Sequence, residues 1–492
     1  MIPMRLADVA AVVGGRLYGA NDDEFVTGTV EFDSRQVTRG GLFAALPGEQ
    51  VDGHDFADAA AAAGAVAVLA ARPVNAPAIV VPPVDPARTH TRSVALTGDK
   101  DGAGAAVLAA LEKLARAVAG RLTARGLVVV GITGSSGKTS TKDLMGQVLD
   151  PMGSTVAPPG SFNNELGHPW TVLRAEDATR FLVAELSARG PGHIAALCKT
   201  APPRIGLVLN VGSAHLAEFG SREQIAATKG ELVEALTADG VAVLNADDPL
   251  VRAMASRTSA TVVYAGRSEH ADVRAVDIAL DENARASFRL ATPDGAAMVR
   301  LQLHGEHHVD NAVAVAAAAM QLGAGVDEIA DRLSHASSRS VRRMQVCTRS
   351  DGVTIINDAY NANPESTGAA LHSLAAMAVG RPRSWAVLGP MGELGSSSHV
   401  EHELIGGLAA DLGIDRVVAV GEQAHAVLGG IRIVGTSAYA VADIDAALDL
   451  LRQELDEGDV VLVKASKSFA LWRIAESLVD DHGRATAPVP EK

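Results

Sequence analysis

The chain has 492 residues, 48% of them hydrophobic and 21% charged, with a formal net charge of −15. Such a composition belongs to a globular protein with material for about three domains, and it excludes general nucleic-acid binding, which needs a basic footprint. A small anionic ligand stays possible, because a phosphate site needs only local positive potential. Aromatic residues make up only 3%, so the cores must be built from Val, Leu, Ile and Ala. The two cysteines, Cys198 and Cys347, have no CxxC neighbour and no adjacent His cluster. They read as buried fillers, not as a disulfide framework or metal ligands. The start of the chain lacks the basic, apolar, small-residue order of a secretory signal. The longest apolar stretch, 57–71, is broken by Asp58 and Gly64 and falls short of the roughly 20 residues of a membrane span. These features predict a cytoplasmic protein.

In chain order, residues 5–13 carry apolar positions at helical spacing, 57–63 read as helix and 65–69 as a buried strand. Residues 82–104, with Pro82, Pro83 and Pro86 among Gly, Thr and Asp, read as a connector. Beyond it, apolar runs at 128–130, 181–184, 205–209 and 241–244 alternate with helical stretches such as 140–149 and 221–236. That alternation predicts βαβ units and a mainly parallel sheet. The polar segment 334–343 is a second hinge. After it, runs at 385–388, 417–420 and 460–463 predict another open α/β unit. The fold class is therefore α/β in three domains, divided at 1–103, 104–338 and 339–492. The central one is a P-loop domain with a mainly parallel sheet and the last is Rossmann-like.

The first central run leads into Gly131-Ile132-Thr133-Gly134-Ser135-Ser136-Gly137-Lys138-Thr139. Strand, glycine loop, Lys-Thr and helix together form the arrangement that cradles a triphosphate. Loop N–H groups and the helix N-terminus point at the phosphates, the lysine neutralises them, and the threonine hydroxyl can hold Mg²⁺. The usual pattern wants glycine at 132, where this chain has Ile132; its first glycine stands one residue earlier. In open α/β sheets ligands sit beyond the carboxyl ends of the strands. Glu185, Asn210, His215, Asn245, Asp247 and Asp248 follow the other runs and should share one rim with the loop. Glu185 is the natural hard Mg²⁺ ligand among them. His215 reads either as a ligand or as a histidine satisfied by its neighbours, and Lys229 taken alone is a solvated helix lysine.

Taken together these segments resemble the Mur ligase family, ATP-dependent amide-bond-forming enzymes of peptidoglycan synthesis. The resemblance covers most of the chain. It rests on the phosphate loop with its offset glycine, on Asn210-Val211-Gly212-Ser213-Ala214-His215-Leu216 followed by the Lys229 helix, and on Leu244-Asn245-Ala246-Asp247-Asp248-Pro249. Gly305-Glu306-His307-His308-Val309-Asp310-Asn311 and Asn357-Asp358-Ala359-Tyr360-Asn361-Ala362-Asn363-Pro364-Glu365-Ser366 add to it. The resemblance implies that Gly134, Ser135, Ser136, Gly137, Lys138, Thr139 and Ser140 bind the ATP phosphates. Thr139 would hold one Mg²⁺, with Glu185 and His215 on a second. It implies that Lys229 is the lysine that becomes N-carboxylated to support that metal. Asn311 would meet adenine, Asp358 the ribose, and Arg343 the γ-phosphate once the last domain closes.

Asp33-Ser34-Arg35 and Asp52-Gly53-His54-Asp55-Phe56 are similar to the UDP-binding first domain of the family's third- and fourth-residue adding enzymes. That likeness marks Ser34 and Arg35 as substrate contacts, although Asp-Ser is also ordinary turn chemistry. Ser161-Phe162-Asn163-Asn164 is similar to the region that receives the peptide, and Asn361 and Asn363 would also meet substrate. The Asp-Asn-Pro-Arg motif of the diaminopimelate-adding enzyme is absent. Instead Met391-Gly392-Glu393-Leu394-Gly395, followed by His399 and His402, is similar to the dipeptide-adding members. The implied reaction joins D-alanyl-D-alanine to UDP-N-acetylmuramoyl-tripeptide through an acyl phosphate, in a monomer with small-molecule substrates and no nucleic-acid or membrane partner. Two departures stand out. Ala465 replaces the glycine of the family's Lys-Gly-Ser, and Pro390 replaces an acid, leaving Glu393 to accept the incoming amine. An amino-acid-adding ligase of the same fold and a P-loop NTPase acting as a regulator are the alternatives.

Overall fold

The computed structural model describes residues 1–48, 51–82, 84, 99, 101–213, 216–432 and 435–481. Most of the connector at 82–104 lies outside the described residues, and so does His215.

Three large sheets follow one another along the chain, and a small antiparallel pair, Met4–Arg5 with Phe25–Val26, stands beside the first. The first has five strands, with Val30–Glu31, Gly41–Ala44, Ala65–Ala70 and Ala78–Val80 parallel and Arg16–Tyr18 antiparallel at one edge. Its expected helix and strand appear as Ala57–Ala62 and Ala65–Ala70. The His54 motif serves this sheet: Nδ1 meets Asp52 at 2.6 Å and Nε2 accepts the Ala71 N–H at 3.0 Å, which ties the loop to the strand end.

The central sheet has nine strands, and the phosphate-loop strand Val128–Thr133 lies between Ile205–Val208 and Phe181–Glu185, both parallel to it. These strands are apolar on both faces because helices cover both. Lys138–Leu149 and the alanine-rich His308–Met320 pack together on one face. Small side chains let the second helix lie close, so Ala312 and Ala316 to Ala319 are fully buried. On the other face the 21-residue helix Ala103–Thr123 shares one core with the first sheet, with Leu111, Leu114 and Val118 buried. An antiparallel ribbon, Val273–Leu280, Arg285–Thr292 and Gly295–His304, extends the sheet and breaks the parallel pattern.

The last sheet orders Gln345–Thr348, Thr354–Asn357, Val460–Lys464, Ser384–Leu388, Arg416–Val420 and Ser437–Val441, parallel except for the first. The cysteines divide. Cys198 is 3% exposed, and burial pushes its thiol up to about 12. Cys347 corrects the expectation of a buried filler: it stands half-buried on the antiparallel edge strand, where one side of the chain has no covering neighbour. Among the described residues no helix is long and apolar enough to cross a membrane.

Candidate active site

The parallel strands aim their carboxyl ends at one rim, and the phosphate loop occupies its centre. Gly137 takes φ 81° before the helix starts, and a Cβ there would lie 2.6 Å from Oδ1 of Asn311. Glycine is thus demanded twice, by the left-handed backbone and by the neighbour. Asn210, just past the strand Ile205–Val208, braces the loop: its Oδ1 accepts the N–H groups of Ser135 and Ser136, each at 3.0 Å. Lys138 Nζ donates to the Gly134 carbonyl at 2.7 Å, so the ammonium lies over the loop. Burial lowers its pKa, Glu185 opposes that shift, and Arg343 adds to it.

Glu185 ends its strand 3% exposed. One carboxylate oxygen accepts the Thr139 hydroxyl at 2.8 Å; the other accepts Ser161 Oγ at 2.8 Å and Asn163 Nδ2 at 2.6 Å. Thr139 and Glu185 are therefore brought together as expected from the sequence. The segment leading to Ser161 is held from below by the buried Lys142, whose ammonium donates to the carbonyls of Pro158 and Gly160. Asn164 Oδ1 accepts the Gly167 N–H at 2.9 Å and opens the helix Gly167–Val172. Both asparagines line the cleft, but each already serves a local partner.

Lys229, the last residue of the helix Arg222–Lys229, is 8% exposed. It is not among the described residues that line the cleft. Burial, and then the charge of Lys138, hold its pKa well below the usual lysine range, and no carboxylate pairs with it among the described residues. The solvated-lysine reading is thereby corrected.

Asn311 is 5% exposed and meets His308 Nδ1 at 3.3 Å. Burial pushes His307 down to about 4 and holds His308 well below the usual imidazole range, which favours neutral rings beside it.

The C-terminal sheet supplies the facing wall. Asp358 follows the strand Thr354–Asn357; Oδ1 accepts the Met344 N–H at 3.0 Å and Oδ2 the buried Lys464 ammonium at 2.6 Å. Lys464 also donates to the Asn361 carbonyl at 2.8 Å. Arg343 lies 4.3 Å from the Tyr360 ring centre, and its buried Nε has no hydrogen-bond partner. Asn363 caps the helix Pro364–Ala378 through Ser366 N–H at 2.8 Å. The cleft between the two walls has a volume of about 950 Å³ and runs from the phosphate loop to Lys467.

Ser34 and Arg35 do not line it. Arg35 is 84% exposed and pairs with Asp33 at 2.8 Å. Sequence reasoning placed Asn210 on the rim but missed its role as loop brace, it placed Ser161 in the peptide-receiving region without its bond to Glu185, and it missed Lys142 altogether. A polar residue just past a strand end was the available signal for the first; no local pattern marks Lys142. His402 is buried under Met391, whose N–H it accepts at 2.9 Å, while His399 is exposed. Ala465 is fully buried with its methyl toward Gly389.

Family models match along the chain: the Mur ligase middle domain at residues 132–319, the Mur ligase glutamate ligase domain at 342–467, and the Mur ligase family catalytic domain at 28–111. The UDP-N-acetylmuramoyl-tripeptide–D-alanyl-D-alanine ligase of Mycobacterium tuberculosis (strain H37Rv) is 54% identical over 98% of each chain. That of Escherichia coli (strain K12) is 34% identical over 98% of this chain and 99% of its own. Among solved structures, MurF from Acinetobacter baumannii superposes with a TM-score of 0.82 at 29% identity over 97% of this chain and 99% of that one. MurF ligase from Thermotoga maritima, in complex with ADP, gives 0.74 at 30% identity over 93% and 99%. With motifs, sheet order and cleft in agreement, the chain belongs to the Mur ligase family and groups there with the UDP-N-acetylmuramoyl-tripeptide–D-alanyl-D-alanine ligases, MurF.

Proposed function

We propose that the enzyme joins D-alanyl-D-alanine to UDP-N-acetylmuramoyl-tripeptide, converting ATP to ADP and phosphate, in cytoplasmic peptidoglycan precursor synthesis. The observation that carries this reading is the cleft itself. A braced phosphate loop with Lys138 and Glu185 on one wall faces Arg343, Asp358 and Lys467 on the other, in one continuous space. In this reading residues 1–103 serve the UDP end of the substrate, 104–338 ATP and 339–492 the dipeptide.

The tripeptide's terminal carboxylate attacks the γ-phosphorus, the bond to the β-phosphate oxygen breaks, and ADP leaves. The acyl phosphate then accepts the dipeptide amine; the tetrahedral adduct collapses, expelling phosphate and forming the amide. Catalysis of the first step is positioning plus charge neutralisation. Lys138 and Arg343 supply fixed cations at the phosphates, and Asn210 keeps the loop N–H groups aimed at them. Gly134, Ser135, Ser136, Gly137 and Ser140 complete that cradle. Asn311 and Asp358 receive the nucleoside. Ser34 and Arg35 contact the UDP end, and Asn163, Asn164, Asn361 and Asn363 the peptides, with Glu393 accepting the dipeptide amine. Closing the cleft shields the acyl phosphate from water.

The residues fit a divalent metal. The Thr139 hydroxyl and the Glu185 carboxylate are buried oxygen donors 2.8 Å apart, the donor class that Mg²⁺ takes. One Mg²⁺ on Thr139 and a second on Glu185, with His215 as its further ligand, would neutralise phosphate charge. Lys229 fits N-carboxylation, since its lowered pKa favours the neutral amine, which can add to CO₂ with loss of a proton.

The reading extends to a monomer with small-molecule substrates, no nucleic-acid partner and no membrane insertion. The test is an acceptor panel with purified protein, ATP and Mg²⁺. UDP-N-acetylmuramoyl-tripeptide plus D-alanyl-D-alanine should release ADP in step with amide formed, and omission of either should stop release. ADP produced equally without acceptors would make the chain an NTPase. Release only with UDP-dipeptide and a free amino acid would make it an amino-acid-adding ligase.

A further inference from the structure

The C-terminal wall reaches the phosphate loop through the first turn of the helix Pro364–Ala378. There the Glu365 carboxylate accepts the backbone N–H of Ser213 at 2.6 Å. Glycine before Ser213 leaves room for this approach, because a Cβ on Gly212 would lie 2.4 Å from the Glu365 carboxyl carbon and push the carboxylate aside. Gly212 N–H in turn donates to Ser135 Oγ at 2.8 Å, and Asn363 Nδ2 donates to the Ser135 carbonyl at 3.5 Å. A closed set of contacts thus runs from Glu365 and Asn363, through Gly212 and Ser213, into Ser135 of the phosphate loop. On its far side the same segment is held by Val211, whose N–H meets Asp248 at 2.7 Å and whose carbonyl takes Arg222 at 2.7 Å. The Glu365 bond, at 2.6 Å, and the longer Asn363 contact, at 3.5 Å, are what the last unit contributes to this scaffold, and both need the two walls together.

We propose that Glu365 is a positioning residue that couples seating of the C-terminal unit to the shape of the phosphate site. With the unit seated, the carboxylate caps Ser213 and fixes segment 211–213, and through Ser135 it sets the loop. With the unit swung away, Ser213 N–H loses its acceptor and the loop loses its outer brace. γ-Phosphoryl transfer is then favoured only when the wall that presents the dipeptide is in place. This inference rests on the ligase reading above.

The experiment uses the full chain and three variants: Glu365→Ala, Glu365→Gln, which keeps an acceptor oxygen, and Gly212→Ala, which obstructs the approach while leaving residue 365 itself unchanged. Turnover, KM for each substrate, and affinity for a fluorescent ATP analogue are measured. Separation of the two walls is read by single-molecule FRET between dyes on Met298→Cys and Val379→Cys in a Cys347→Ser background. Glu365→Ala should lower kcat about 10-fold, leave analogue affinity within about twofold, and shift the distance distribution toward open. Glu365→Gln should stay within about threefold of the parent. Gly212→Ala should resemble Glu365→Ala, and the double variant should be no worse than either single one. Multiplying effects, or Glu365→Ala with parental kcat and distances, would overturn the proposal. The FRET readout on the nucleotide-bound protein needs no turnover, and it decides the matter for Glu365→Ala even where Gly212→Ala does not fold. Failure of the parent protein in the acceptor panel would count against the ligase reading instead.

Discussion

Lys229 and Lys464 are both buried lysines beside the same cleft, 8% and 2% exposed, yet they stand in opposite electrostatic states. Lys464 is balanced: the Asp358 carboxylate lies 2.6 Å away and the Asn361 carbonyl 2.8 Å away. Lys229 has the positive Lys138 as its electrostatic neighbour, and burial favours its neutral form. Burying an ammonium is costly unless it is paired, so an unpaired one gives up its proton. On the central rim burial thus favours the neutral form of Lys229, whereas on the C-terminal rim Lys464 is held beside a carboxylate. Perturbed groups of this kind mark sites of chemistry, and balanced pairs mark structure.

The sharpest way to break that contrast is Lys138→Ala. It should lower kcat by about 10³-fold or more while the protein stays folded, measured as ADP release and by thermal melt. A small loss would mean that the loop lysine does not face phosphate. Next comes the pair itself. Lys229→Ala should cost about 10²-fold in kcat with little change in melting temperature. Lys464→Ala, which strands the partly exposed Asp358 carboxylate, should cost about 2–3 kcal/mol in urea unfolding. Equal destabilisation by both would erase the distinction between them.

Acid stability sharpens the same idea with uncharged groups. His168 and His307 are both held near 4 by burial, against 6.5 in the unfolded chain. Between those values the unfolded chain takes up a proton that the folded chain refuses. Their contribution is thus full above pH 6.5 and falls as the pH drops toward 4, by roughly 3 kcal/mol for each ring. His168→Leu should remove one of these slopes in unfolding measured across that range. An unchanged slope would show that the ring is protonated in place. The smallest expected effect is at Asn210→Ala. Loss of the acceptor for two loop N–H groups should raise the KM for ATP about 10-fold and leave the KM for D-alanyl-D-alanine unchanged.

Much of this was legible in the chain. Apolar runs bounded by turn residues located the strands that end at Thr133, Glu185, Val208 and Asn245, because strands covered on both faces must be apolar throughout. The glycine loop and Lys138-Thr139 announced themselves, since backbone conformation and phosphate chemistry demand those residues locally. The helix Ala103–Thr123 went unread beside a connector rich in turn formers, and its apolar face has meaning only against two sheets at once. Cys347 looked like core and is half-buried, because edge and centre strands share local composition.

By itself the sequence determined the α/β class, the order of the strands along the chain and the phosphate loop, all of which follow from short-range rules of backbone conformation and apolar period. Only the tertiary structure decided which charges are paired, that Asn163 serves Glu185, and that Glu365 reaches Ser213 across 152 positions of sequence. The reason is physical: burial and Coulomb energy depend on distance through space, and that distance is set by sheet order and the packing of one wall against the other, which no local pattern encodes.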